Sequence, residues 1–356
     1  MIWQRYFLRE ILKVFFLFLF SFFALYVLVD YSMHMQEILK SDTIKWKGLG
    51  VYYGMLFSRR CDLLLPLALL ISSVKVLTTL NRRNELLALQ TAGVALHKLT
   101  RPFFFVGLLC VGLSYLNFEF VAPKSFSYIS QFEKKYLKKK SKRKEKKEKI
   151  HILPLEDGSR LLYQYYDPVK KEFFDLFWIA SQDKVYYMKT LSSRGEGTFV
   201  DLMERKEKGM EKTASYLSHT FKNLHLNFDL ENYFEQGMDN RSITELIQIG
   251  TSQAPLFEDK RPIALTHLYF KIVMPWLPVL VLLGAAPFCV PSVRNLPTFL
   301  IFALTIFGYI TFFTIMDGCM VLGETGALSP FWAIFPLPIL FSFIFGGRFL
   351  KMCLNL

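Results

Sequence analysis

Cysteine is scarce in this chain: five in 356 residues, an odd number, with none between positions 123 and 262. That excludes a disulfide-stapled secreted domain. The five (Cys61, Cys110, Cys289, Cys319 and Cys353) are too scattered for a metal site and read as small polarizable filler. Histidine is nearly as rare, at six. His219 and His225 stand six apart without a third ligand, which does not make a metal site. No G-x-x-x-x-G-K-[ST], H-E-x-x-H or G-x-S-x-G run is present, and no paired carboxylates stand out. The sequence therefore offers no catalytic residues, no metal site and no cofactor. Acidic residues are also in deficit, at 30 against 43 Lys plus Arg, a net charge of +13. With 52% hydrophobic residues, an acidic disordered tail is excluded.

What is present is apolar length. Phe alone supplies 36 residues, and mean hydropathy is +0.28. A helix needs about 20 largely apolar residues to cross a bilayer. Six stretches qualify: Val14 to Val29, about Cys61 to Leu80, Pro102 to Ala122, Ile272 to Val293, Leu296 to Met316, and Phe331 to about Leu350. The first lacks a small-residue cleavage site and reads as a retained helix. The fourth holds Pro275, Pro278, Pro287 and Pro291, either ordinary kinks or a flexible gating helix. Asp62, Glu119 and Asp317 lie near span ends. Lys75 either snorkels to the interface or has a buried partner.

Between the third and fourth spans, residues 123–262 change period. Short runs rich in aromatic and β-branched residues, such as Arg160 to Tyr166, Phe173 to Ile179 and Lys184 to Met188, alternate with turn signals such as Asp157-Gly158 and Asp167-Pro168. That pattern predicts an all-β sandwich or jelly roll. Ser215 to Leu226 completes it. Ser242 then reads as the N-cap of a short helix, with Glu245 as its capping-box partner. The division is 1–122 with three spans, 123–262 with the β domain, and 263–356 with three more.

The loop between the second and third spans carries the most specific signal. Asn84 suits an N-cap and Glu85 the positive end of the helix dipole. Leu86 to Gln90 are strong helix formers, and Gly93 is a stop. This predicts a two-turn helix within 84–93. It is either a surface helix lying on the bilayer or a docking knob for a cytoplasmic partner.

These residues also carry a resemblance. Leu65-Pro66-Leu67-Ala68-Leu69-Leu70 followed by Glu85-Leu86-Leu87-Ala88-Leu89-Gln90-Thr91-Ala92-Gly93 resembles the LptF/LptG permease family. So do the Asn117 and Pro123 exit from span three and the stretch from Leu322-Gly323-Glu324 to Pro336. Members often have a Pro early in span two, near where this chain has Ser58. The resemblance implies an α-helical membrane protein with six transmembrane helices, three plus three, and an inserted periplasmic all-β jelly-roll domain. It implies the transmembrane subunit of an ABC transporter that extracts lipopolysaccharide from the inner membrane of a Gram-negative cell. Its expected partners are a cytoplasmic ATPase dimer, a paralogous permease subunit and periplasmic bridge proteins. Glu85 would be the ATPase-docking acid, with Arg82, Arg83, Leu86, Leu89 and Gly93 around it. Spans one and five would line a lateral gate. Lipid head groups would meet His34, Lys40, Lys45 and Lys47, with Arg59 and Arg60 opposite. A membrane-anchored envelope scaffold that does not gate lipid is the alternative.

Topology follows from the resemblance and the charges. With both termini cytoplasmic, the cytoplasmic ends carry ten basic residues: Arg5, Arg9, Lys13, Arg82, Arg83, Lys98, Arg101, Arg294, Arg348 and Lys351. This obeys the positive-inside rule. The run 134–149 opposes it, with eleven Lys or Arg and two Glu, net +9. Long domains translocate largely regardless of charge. The run reads as a solvated strap or as a binder of anionic lipid phosphates. Nucleic acid is not expected, since no base-stacking aromatic surface accompanies it.

Overall fold

The computed structural model describes residues 2–40, 46–133, 136, 151–155, 159–167, 172–181, 183–192, 195–206, 209–221, 237–252, 260–290 and 297–354. The chain divides into two compact units. Most of the basic run 134–149 and His225 lie outside the described residues, as does Lys45.

The first unit contains six helices long and apolar enough to cross a membrane: Ile2–Gln36, Trp46–Arg82, Leu96–Phe132, Arg261–Cys289, Thr298–Glu324 and Pro330–Leu354. In secondary structure these are α1 (Ile2–Lys40), α2 (Trp46–Arg82), α4 (Leu96–Leu116) continuing into α5 (Ala122–Phe132), α7 (Arg261–Val273) with α8 (Leu277–Cys289), α9 (Thr298–Glu324), and α10 (Pro330–Ile334) with α11 (Pro336–Leu354). Two short helices complete the unit's helical parts: α3 (Glu85–Thr91) and α6 (Ile243–Thr251), the latter running into the second unit.

Span two is the axis of this unit. In their most apolar stretches 78% of span two is buried, against 17% of spans one and six and 22% of span five. Leu65, Ala68, Leu69 and Val74 of span two lie in the core with Val106 and Cys110 of span three and Leu282 and Ala285 of span four. Lys75 is exposed on span two, so it turns out of the bundle and its buried-partner reading fails. Gly107 lets spans three and four approach, since a Cβ there would stand 2.8 Å from Leu282 Cδ1.

Two irregular turns interrupt the spans. Span three widens into a π turn at Asn117–Val121 just before Pro123. A proline removes one N–H of the ladder, and such wide turns absorb the mismatch. Span four tightens into a 3₁₀ turn at Met274-Pro275-Trp276 for the same reason.

Among the described residues the second unit holds one six-stranded antiparallel sheet in the order β1 to β6: β1 (His151–Pro154), β2 (Arg160–Asp167), β3 (Glu172–Ser181), β4 (Lys184–Ser192), β5 (Glu196–Lys206) and β6 (Gly209–Thr220). Each strand pairs with its predecessor, as in Leu176 with Met188 and Tyr186 with Leu202. A crossover connection of the jelly-roll kind is not seen among the described residues. One face buries Leu161, Tyr163, Phe173, Leu176, Met188 and Val200. The inward-facing residues change phase across one transverse line, where buried positions fall three apart: Phe173 then Leu176, Met188 then Leu191, Gly197 then Val200. Asp175 and Phe199 take positive φ on that line, at 47° and 49°. L-residues rarely adopt such φ, and here it re-aims the side chains that follow.

Candidate functional site

The predicted short helix is α3. It does not start as the sequence suggests. Asn84 has φ 57°, ψ 14°; its carbonyl accepts from the Ala88 N–H at 2.9 Å, but its side chain does not cap α3. The turn from span two is so tight that its last residue must be left-handed, a conformation Asn tolerates through its short polar side chain. The far end is as expected. Gly93, at φ +85°, gives its N–H to the Gln90 carbonyl at 2.9 Å, and Val94 gives its N–H to Leu89 at 3.0 Å. This pair is a complete Schellman closure.

Side chains fix α3 from below. Leu86 is 1% exposed and belongs to the bundle core, and Leu89 packs partly against it. Leu86, named with the docking residues from the sequence, thus has its seat beneath α3 in its own bundle. The outward face carries Leu87, Ala88 and Thr91, beside exposed Arg82 and Arg83. Glu85 lies 3.7 Å from Arg83 Nη1 and faces Tyr6 of span one. Asn81 Nδ2 donates to the Cys289 carbonyl at 3.2 Å. The turn below α3 thus touches the ends of spans one, two and four. Tyr6 and Asn81 were missed in the sequence, because each acts across a separation no local motif records.

The lipid-facing candidates sit toward the opposite end of span two. Arg60 donates from Nε to the Tyr26 hydroxyl at 3.4 Å and lies over that ring. Arg59 lies 5.7 Å from the Phe126 ring centre. Both guanidiniums are exposed, so two cations rest on aromatic rings of spans one and three. His34 is tied to its own helix: its Nδ1 lies 3.1 Å from the Asp30 carbonyl and 3.6 Å from Asp30 Oδ1. It does not join the Arg pair. The side chain of Lys40 lies outside the described residues, as Lys45 does altogether; Lys47 is exposed. Ser58 exchanges bonds with Asn117: Oγ to Oδ1 at 2.5 Å, and Asn117 Nδ2 to the Ser58 carbonyl at 2.9 Å.

A second cluster at this end was not expected. Span four begins at Arg261, eleven residues before the predicted start. Its first turns carry His267 and Lys271, both buried. His267 Nε2 lies 2.7 Å from Glu324 Oε1 of span five. Lys271 Nζ donates to the Asp239 carbonyl at 2.7 Å and to that of Arg241. It stands 5.7 Å from the Phe118 ring centre of span three. Glu119, next in sequence, accepts from the N–H groups of Ile243 at 3.0 Å and Thr244 at 3.4 Å, and from the Thr244 hydroxyl at 2.6 Å. Ser242 Oγ accepts from the Glu245 N–H at 3.2 Å, as the predicted N-cap should. The segment 238–245 is thereby clasped to spans three and four.

Among the described residues no group of three or more His, Cys, Asp or Glu is placed to hold a metal ion. The arrangement is mechanical: a fixed short helix at one end of the spans and clasped segments at the other. Six spans, an inserted antiparallel β domain and a rigid interspan helix define the membrane subunit of a transporter. A family model described as lipopolysaccharide export system permease LptF/LptG matches residues 5–351, and the chain belongs to that family. It is a multi-pass inner-membrane permease of lipopolysaccharide export, not an enzyme. None of the curated proteins compared with the chain matches it.

Proposed function

We propose that this permease draws lipopolysaccharide sideways out of the inner membrane and passes it, through a periplasmic β domain, to bridge proteins leading outward. Burying one methylene is worth about 0.8 kcal/mol, so pulling several acyl chains into water costs tens of kcal/mol. The chains must pass from bilayer to protein without meeting water. Spans one and five are the lateral gate that the family resemblance implies; both are little buried within the single chain, as span six also is. Work comes from a cytoplasmic ATPase dimer, and a paralogous permease completes the pair. Both termini are cytoplasmic and the β domain is periplasmic; alkaline phosphatase fused near residue 200 is then active and one fused near residue 90 is not.

The observation that carries this reading is α3. A seven-residue helix cannot hold itself together in water. Here the Schellman closure, the buried Leu86 and the Tyr6–Glu85–Arg83 contacts fix it against span two, so force on its outer face moves the spans. Glu85, Arg82 and Arg83, with Leu87 beside them, are the docking surface; Leu86, Leu89 and Gly93 hold its shape. Glu85→Ala and Leu87→Asp lower ATPase copurification and export together. Unchanged copurification and export in both variants overturn the docking role. Arg59, Arg60, His34, Lys40 and Lys45 are the head-group contacts of the export path. Photocrosslinking of lipopolysaccharide from span-one or span-five positions separates gating from a scaffold, which gives no lipid adduct.

A further inference from the structure

Spans four, five and six leave a cavity that the export reading does not use. It measures about 360 Å³, and its lining includes Leu280, Gly284, Phe288, Leu304, Gly308 and Ile344. Along span four the lining runs from Leu277 to Phe288, roughly 16 Å at 1.5 Å per residue. That is the depth of one leaflet, half of a core about 30 Å thick. The hydroxyl of Thr305 is occupied, donating to the Ile301 carbonyl at 2.8 Å. What remains is a carbon-walled slot. A hydrocarbon chain fits.

One end of the slot is charged. Arg348 lines it, with its guanidinium 5.6 Å from the Phe288 ring centre. Arg348 makes no ion pair among the described residues. Lys351 is exposed one turn further on. Phe104 packs on Phe349 at 5.3 Å, which brings the start of span three, with exposed Lys98 and Arg101, to this same end. This is the Asn81–Cys289 end of the bundle, opposite Arg59 and Arg60. A basic mouth above an apolar slot between spans matches the head and tail of an anionic phospholipid.

We propose that this cavity binds an anionic phospholipid of the leaflet on the Arg348 side, with one acyl chain in the slot and the phosphate beside Arg348 and Lys351. The lipid is a resident of the permease and not its cargo.

Native mass spectrometry of the purified complex, with phosphatidylglycerol or phosphatidylcholine added back, tests this. The wild-type complex retains phosphatidylglycerol preferentially. Arg348→Gln weakens that preference about fivefold, the effect of one basic residue near an anionic head group. Gly308→Leu abolishes retention of both lipids: a Cβ at Gly308 meets nothing within 4 Å, so the larger side chain enters the slot. Equal retention of both lipids by the wild type, or unchanged retention in both variants, overturns the proposal. A benzophenone amino acid at Ile344 gives a lipid adduct if the proposal holds. An adduct with the sister permease instead overturns it, and that readout needs no folded Gly308 variant.

Discussion

Glu119 is the point where the proposed clasp can be tested by number. Its carboxylate takes two backbone N–H groups and one hydroxyl at the start of α6. Removing it in Glu119→Ala deletes these bonds and the negative charge at the positive end of the helix. A hydrogen bond to a charged group contributes about 1.5 to 3 kcal/mol, and a lost cap about 1. These are not additive here. The Thr244 bond at 3.4 Å is long, and Ser242 still caps the Glu245 N–H. Thr244 is exposed, so water can satisfy part of what is lost. A net cost of about 2 kcal/mol follows, a roughly thirtyfold rise in local opening. Hydrogen-exchange mass spectrometry of the intact complex reads this directly. Amides of 243–251 exchange about thirtyfold faster in Glu119→Ala, and those of β3 and β4 are unchanged. Glu119→Gln keeps an acceptor and loses the charge, so its effect falls between. Unaltered exchange over 243–251 in the Ala variant refutes the clasp.

Further consequences concern packing, the sheet and charge. A Cβ at Gly323 would stand 2.7 Å from Thr266 Cγ2 and 2.8 Å from Oγ1. Gly323→Ala therefore lowers the thermal midpoint of the complex, and adding Thr266→Ala restores part of it, with a coupling of about 1 kcal/mol or more. Additive effects would show that spans four and five are not in contact there. In the sheet, Trp178 Nε1 donates to Ser159 Oγ at 2.9 Å in a buried setting. Trp178→Phe removes that donor and part of the ring, costing about 1 to 3 kcal/mol, read as faster exchange in β2 and β3. Lys212 and Ser215 hold the Asp201 carboxyl below its ordinary range. The contribution of this pair is present above the unfolded value of about 3.9 and is lost as pH falls through the lower folded value. NMR of selectively labelled Asp201 gives a midpoint below about 3.9, moving upward in Lys212→Gln; a midpoint that stays put in Lys212→Gln counts against the pair.

The sequence shows elements whose signal is local. The six spans are legible in apolar length, and β2 to β4 begin at or within one residue of the predicted runs because aromatic runs and turn residues mark them. Gly93 is legible because left-handed stops favour glycine. What escaped is non-local. Thr266, His267 and Lys271 made the first turns of span four look too polar for a membrane. Thr266 bonds locally to the Pro262 carbonyl, but the partners of His267 and Lys271, Glu324 and the carbonyls of Asp239 and Arg241, lie 57, 32 and 30 residues away and cancel that polarity only in the fold. Glu119 looked like a charge at an interface, and its real partners are over 120 residues on. At the candidate site, Glu85 stood out by type and place. That Leu86 turns inward follows from how α3 lies on span two, which periodicity over seven residues cannot specify. The phase change across the sheet depends on positive φ at Asp175 and Phe199, residues with no sequence mark for it.

The strand order of the sheet has a consequence for biogenesis. Because every strand from β2 to β6 pairs with the one before it, no described strand waits for a later partner. Loop closure between neighbours is short, which favours fast pairing. In the proposed topology the β domain is threaded across the membrane and emerges N-terminus first. Each hairpin can therefore zip onto the growing edge as it appears, so that among the described strands only the newest edge and the outer edge of β1 are open to aggregation at any moment. Insertion of the last three spans then need not precede folding of the domain that separates them from the first three.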